Sequence, residues 1–161
     1  MENSCLRLKK NGVILLTMSI DPAMPTQIEE HCEAIEDCYE FTLSYAARGM
    51  TTDESGDLGR QLREKLTRAL EAMRGLQPAC AAAIREQQLT PAEKYEAFFA
   101  VLARDAQSSV IAVELVLAQP VISSQLIDNL NASIHLRALL TDLFLLTEIL
   151  SAKRAGAAAS Q

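Results

Sequence analysis

The segment LLTDLFLLTEIL, residues 139–150, constrains the fold more than any other part of the chain. On a helix that turns 100° per residue, its apolar side chains occupy nearly the whole circumference and leave a narrow polar stripe near Asp142. A helix that is apolar on all sides must be covered on all sides. The segment is therefore predicted to lie inside a helical bundle or at a contact between chains.

A second segment, VIAVELVLA at residues 110–118, has the same character, with Glu114 set among aliphatic residues. One domain of five helices can bury one such helix at its centre. Two such segments favour a second layer of protein, and a second copy of the same chain is the commonest solution. We therefore expect a homodimer formed through residues 110–118 and 139–150, with a protein partner as the other possible cover.

The composition favours helices throughout. Hydrophobic residues make up 49% of the chain, but aromatic residues make up only 4%, and Gly and Pro are few. Alanine and leucine cost least in a helix, whereas aromatic and β-branched residues supply most strand propensity. The predicted fold is all-α, a single-domain antiparallel bundle of four to five helices that is dimeric.

Capping residues, glycines and prolines divide the chain into predicted helices. Thr26 with Glu29, and Thr90 with Glu93, fit capping boxes that begin helices. Helix ends are predicted at glycines and starts at prolines, because Gly terminates and Pro opens helices. The resulting helices span residues 26–48, 57–74, 78–88, 90–118 and 121–151.

The predicted helical bundle spans residues 26–151, and the two ends of the chain are predicted to lie outside it. Residues 1–25 are predicted to be a tail that is disordered or, for residues 1–17, an over-extended start before Met18. Within residues 1–25, the apolar run GVILLTMSI is shorter than the hydrophobic region of a typical signal peptide, and it contains the polar residues Thr17 and Ser19. Residues 152–161 are predicted to be a frayed tail, and no segment approaches the ~20 apolar residues that span a bilayer. No membrane association is expected.

The formal charge of −6 argues against a general role in binding nucleic acid, which requires clustered Lys and Arg. The four cysteines include no CxxC pair, so zinc-ribbon and thioredoxin-like sites are excluded by spacing. Two disulfides are possible by count, but a helical domain of this size does not need them. A reducing cytosol is the simpler interpretation, and a cytoplasmic location is predicted.

The segment EEHCEAIEDCYE, residues 29–40, contains His31, two cysteines and six carboxylates, and raises the question of a metal site. Two ligands on one helix must stand three or four residues apart, as in HExxH, and neither HExxH nor ExxH occurs here. The segment instead fits an amphipathic helix with an acidic outer face, in which Cys32 and Cys38 are small core residues. No metal and no cofactor is predicted.

Catalytic motifs are also missing from the sequence: there is no GxSxG elbow, no GxGxxG and no glycine-rich phosphate loop. The favoured function is a non-enzymatic adaptor, assembly factor or regulator that works through self-association and protein contacts. The alternative is a bundle that binds a small ligand or metal in its core. That alternative predicts one shared pocket in the core. The residues expected to line it are Glu114, Asp142, Glu148 and His31. The structural alternative is that Glu114, Asp142 and Glu148 each lie at a rim, where the side chain either extends to solvent or pairs with Arg104 or Arg137.

Overall fold

The computed structural model describes residues 26–53 and 56–159, apart from the side chains of residues 157 and 158. Within these ranges the chain forms helices and no strand: α1 Gln27–Ala46, α2 Asp57–Glu86, α3 Ala92–Leu117, α4 Ser124–Asn131 and α5 Ile134–Ala159. The predicted all-α class is confirmed. The predictions for residues 1–25 lie outside the described residues.

Helix α1 begins where the sequence predicts. Thr26 Oγ1 accepts a hydrogen bond from the backbone N–H of Glu29, and the Glu29 carboxylate accepts one from the backbone N–H of Thr26. This capping box satisfies two backbone N–H groups that the first turn of a helix leaves without partners. The helix ends at Ala46, slightly before residue 48, and Gly49 follows with a φ of 64° that glycine adopts freely.

Helix α2 is one continuous helix where the sequence predicts two. It passes through Gly75, the predicted end, and through Pro78, the predicted start of another helix. Proline removes one backbone hydrogen bond, but Leu76, Ala79 and Cys80 around it are all buried. Core packing outweighs the lost hydrogen bond, and the separate helices predicted over 57–74 and 78–88 are wrong.

Gly75 marks a close approach between α1 and α2 rather than a helix end. A Cβ atom at residue 75 would lie 2.5 Å from His31 Nε2 and 2.7 Å from His31 Cε1. The imidazole of His31 therefore occupies the space that any larger residue at position 75 would need.

Replacing Gly75 by alanine is expected to have opposite effects in two backgrounds. Alanine is favoured over glycine in a helix by about 1 kcal/mol, but in the natural chain the new methyl group must displace His31. We expect Gly75→Ala to fail to stabilise the natural chain and to stabilise a His31→Ala chain by about 0.5–1 kcal/mol. Urea denaturation of the four proteins measures this coupling, and equal effects in both backgrounds would contradict the contact.

Helix α3 begins without the capping box predicted at Thr90. Pro91 occupies the cap position and makes no side-chain cap bond. The Thr90 hydroxyl instead donates to the carbonyl of Gln88 at 3.0 Å. The helix still starts at the predicted place, because Pro91 cannot continue a preceding helix.

The helix predicted over 121–151 is divided into α4 and α5. Ser123 Oγ accepts a hydrogen bond from the backbone N–H of Leu126 and caps α4. At the other end of α4 the buried Asn131 Oδ1 receives the hydroxyl of Thr42 in α1 at 2.7 Å. Helix α4 packs chiefly against α1, whereas α5 packs chiefly against α3. The break between them lets each segment meet its own neighbour.

Helix α5 continues to Ala159, past residue 151 where the sequence predicts the end of the bundle. Arg154 holds this extension to the start of α1, because Nη1 donates to Glu29 Oε2 at 2.8 Å and Nη2 pairs with Oε1. The hydrogen bond from Arg154 is the largest cause of a Glu29 pKa lowered from 4.5 to about 2, against a smaller opposing effect of burial.

Replacing Arg154 by glutamine should therefore destabilise the fold in a pH-dependent way. The folded pKa of Glu29 lies below its ordinary value, so the pair contributes fully above about pH 4.5 and progressively less as the pH falls toward 2. We expect a loss of about 1–2 kcal/mol at pH 7, after allowance for partial exposure, and a smaller loss at pH 3. Denaturation at both pH values tests this, with Arg48→Gln as control; a loss independent of pH would contradict it.

Charged side chains join α1 to α2 as their composition predicts. Lys65 of α2 pairs with Asp37 of α1, and Arg68 Nη1 lies 3.9 Å from the same carboxylate. The acidic first helix thus lies beside the second helix, which carries Lys65 and Arg68. Exposed pairs of this kind contribute ~0–1 kcal/mol each, so they select the orientation of the helices more than they stabilise them.

The connection after α1 is tied to the connection after α3. Asp53 Oδ1 accepts from the backbone N–H of Ile122 at 2.7 Å, and Arg63 Nε donates to Asp53 Oδ2 at 2.7 Å. The hydroxyl of Tyr45 donates to the carbonyl of Ile122 at 2.9 Å, and Ser124 Oγ donates to the carbonyl of Tyr45 at 2.8 Å. These bonds fix the end of α3 relative to α1 and α2.

Candidate functional site: an exposed apolar face

Helix α3 buries one side and leaves large apolar side chains on the opposite side. Phe99, Leu102, Val113 and Val116 are buried. Val101, Ile111 and Leu115 point outward, and Ile111 is 61% and Leu115 65% exposed. The segment 110–118 is thus covered on one side only by the rest of the chain.

Helix α5 shows the same division. Its buried side carries leucines at 136, 139, 140, 143, 146 and 150. Ile134, Phe144, Leu145 and Ile149 are exposed, Leu145 by 52%. In the folded monomer, part of each apolar segment, residues 110–118 and residues 139–150, therefore remains exposed to water.

Helices α3 and α5 pack side by side. Lys153 Nζ near the end of α5 lies 5.8 Å from the ring centre of Tyr95 near the start of α3, and His135 of α5 contacts Asp105 in the middle of α3. The part of α3 from Tyr95 to Asp105 thus runs beside α5, with Tyr95 near the end of α5 and Asp105 near its start. We call the outward surface of the two helices the α3–α5 face; it consists of Val101, Ile111, Leu115, Ile134, Phe144, Leu145 and Ile149.

This face concentrates exposed apolar surface. Among the described residues, the only other large hydrophobic side chains that are exposed are Leu43 in α1 and Val121 between α3 and α4. Single exposed apolar residues are normal, whereas interaction surfaces concentrate them. The face is therefore the candidate functional site.

Charges of both signs accompany the apolar residues. On the wheel of α5, Arg137 and Glu148 fall on the same exposed side as Thr141 and Phe144. Among the described residues, neither Arg137 nor Glu148 forms an ion pair. A surface with an unpaired cation and an unpaired anion can recognise a partner with the same two charges in reverse order.

A polar group that sequence reasoning missed borders the face where α3 meets α5. His135 Nδ1 lies 3.1 Å from Asp105 Oδ1. Asp142 is half-buried; burial raises its pKa, and the charge of Asp105 raises it further. The wheel of α3 places Asp105 near the buried Leu102 and Ser109, which was the available signal for an inward-facing carboxylate.

The four residues predicted to share a pocket lie in four different surroundings. Glu114 is exposed on α3 and pairs with Arg74 of α2, so its predicted partners Arg104 and Arg137 are wrong. The charge of Asp105 acts on Asp142, and Glu148 is exposed on α5. His31 lies between α1 and α2 against Gly75. The structure brings no two of them together.

The described cysteines behave as core residues. Cys32, Cys38 and Cys80 are buried and free. Burial is the largest cause of thiol pKa values raised to about 11, 12 and 12, respectively. Thiols with such pKa values are protonated at neutral pH and poor nucleophiles.

The described ranges offer neither a metal site nor a membrane-spanning helix. Residues 26–53 and 56–159 contain no group of three or more His, Cys, Asp or Glu side chains arranged to hold a metal ion. None of the helices in that part of the chain combines the length and the apolar character needed to cross a membrane.

Comparison with known proteins gives no relative: no protein-family model matches the chain, and no curated protein or solved structure is significantly similar to it.

Proposed function

We propose that the chain is a non-enzymatic, cytoplasmic antiparallel helical bundle that forms a homodimer through the α3–α5 face and acts as an adaptor, assembly factor or regulator. The observation that carries the proposal is the exposure of apolar side chains on both α3 and α5, including Leu115 and Leu145. Water contact with these side chains is unfavourable by roughly 25 cal/mol per Å² of apolar surface. Association removes that contact.

A second copy of the chain is the best occupant of the face for two reasons. A two-fold symmetric contact uses the same surface twice, so a face with both signs of charge can complement itself. The exposed side of α5 also combines the apolar Phe144 with the charges of Arg137 and Glu148, and interfaces combine apolar contacts with charged groups at their rim. The acidic outer side of α1 has no such apolar centre.

Covalent footprinting at two protein concentrations tests the proposal. A carbene reagent labels exposed side chains, and a dimer protects those in its interface. We expect labelling of Ile134, Phe144 and Leu145 to fall several-fold as the concentration rises through the dissociation constant, because the partner excludes the reagent.

Leu43 provides the internal control for that experiment. It is 47% exposed, close to the 52% of Leu145, but it lies on α1. Its labelling should not change with concentration. Equal labelling of both leucines at all concentrations would refute self-association through this face.

A further inference from the structure

Arg137 and Glu148 occupy matching positions on one side of α5. Eleven positions separate them, which corresponds to three helical turns with a rotation of only about 20°, and to about 16 Å along the axis. Both side chains are exposed, and among the described residues neither forms an ion pair. Thr141 and Phe144 lie between them on the same side.

We infer that the α5 helices of two copies pack antiparallel about a two-fold axis that passes between residues 142 and 143, and that Arg137 of each copy pairs with Glu148 of the other. This inference rests on the proposed self-association and adds the register of the contact. An antiparallel arrangement about that axis brings each residue opposite its mirror position in the partner. The two ion pairs form together because the symmetry repeats each contact.

One exposed strip of α5 consists of residues 134, 137, 141, 144, 148 and 151, in which Ile134 and Phe144 are the apolar members and the others are polar or charged. In the inferred register Thr141 of one copy faces Phe144 of the other, twice. Phe144 is a large apolar anchor close to the axis, where interfaces concentrate their binding energy.

Other registers of the same strip do not pair the charges. A shift by seven residues in one direction places Arg137 opposite Thr141 of the other copy. Glu148 then faces position 130, which comes before the start of α5 at Ile134. A shift in the other direction places Glu148 opposite Phe144 and Arg137 opposite Ala155. A parallel symmetric pair would set Arg137 against Arg137 and Glu148 against Glu148, which is repulsive. Charge complementarity thus selects one register.

Charge reversal tests the register directly, because each outcome depends on which residues face each other. Arg137→Glu alone creates two Glu–Glu contacts in a dimer, and Glu148→Arg alone creates two Arg–Arg contacts. Each variant is expected to raise the dimer Kd by roughly ten- to a hundred-fold, since two attractions become two repulsions. Sedimentation equilibrium over a concentration series measures each Kd.

Two combinations should restore the dimer. An equimolar mixture of Arg137→Glu and Glu148→Arg chains is expected to form a heterodimer, because one chain carries Glu and the other Arg at both positions. The double variant R137E/E148R should form a homodimer with a Kd within about threefold of the natural one, as its two pairs are reversed but intact. Isotope labelling of one chain identifies the heterodimer by native mass spectrometry.

The control is Glu40→Arg, an exposed charge reversal on α1 that should leave Kd unchanged. Heterodimer formation together with weakened homodimers supports the register. Dimers that persist in all single variants, or that fail to re-form in the mixture, overturn the register while self-association stands. A natural chain that stays monomeric overturns both proposals.

Discussion

Replacing Asp53 by alanine should lower the free energy of unfolding by about 3 kcal/mol, because the change leaves two partners of a buried carboxylate unsatisfied. Only 3% of the Asp53 side chain is exposed, and its oxygens accept from Ile122 N–H and Arg63 Nε. Arg63 also donates to the carbonyls of Leu117 and Gln119 at 3.2 and 3.1 Å. Loss of Asp53 thus loosens the end of α3.

The loss of stability caused by Asp53→Ala is expected to be larger at neutral pH than at low pH. Burial raises the pKa of Asp53, but the hydrogen bond from Ile122 and the guanidinium of Arg63 lower it more, so the net shift is downward from 3.8. Its contribution is therefore present above about pH 4 and is lost as the pH falls through the folded pKa. Urea denaturation at pH 7 and at pH 3 measures both effects.

Asp57 supplies the matched control for Asp53. It belongs to the same stretch of chain and also pairs with an arginine, Arg60, but both side chains are largely exposed. Asp57→Ala is expected to cost less than about 1 kcal/mol. Similar losses in the two variants would show that the buried network around Asp53 does not hold the connections together.

Replacing Leu145 by glutamate should raise the dimer Kd at least about a hundred-fold, equivalent to roughly 3 kcal/mol. In the proposed dimer the new carboxylate would be buried among apolar side chains such as Phe144 and Ile149, without a partner. In the monomer the same carboxylate remains in water, because Leu145 is 52% exposed. The monomer should stay folded by circular dichroism while sedimentation shows loss of the dimer.

Leu43→Glu is the control, since Leu43 has the same side chain and similar exposure on α1. It is expected to leave Kd within about twofold of the natural value. Weakening by both variants to the same extent would indicate a general effect of added negative charge and would contradict a role of the α3–α5 face.

Local signals in the sequence are sufficient to predict the all-α class and the start of α1. The capping box of Thr26 and Glu29 depends on residues three positions apart, so it can be recognised without knowing the fold. The continuity of α2 could not be predicted this way. Gly75 and Pro78 are ordinary signals for helix ends, and only the packing of His31 and the buried residues around Pro78 reverses their meaning.

The candidate site, too, could be predicted from the sequence only in part. The surplus of apolar residues in segments 110–118 and 139–150 is visible in the sequence, because their apolar side chains extend around most of the helix circumference. The partners of individual charges are not visible, because they depend on how helices pack. Glu114 thus meets Arg74, and the charge of Asp105 acts on Asp142, through contacts between helices that periodicity alone does not specify.

Native mass spectrometry of the natural protein measures self-association without any substitution. We expect a species of twice the 17.6 kDa mass of one chain at micromolar concentration, with no additional mass. Leu145→Glu should convert it to the mass of a single chain, and Leu43→Glu should not. A natural chain that is monomeric at all accessible concentrations would contradict self-association through the α3–α5 face.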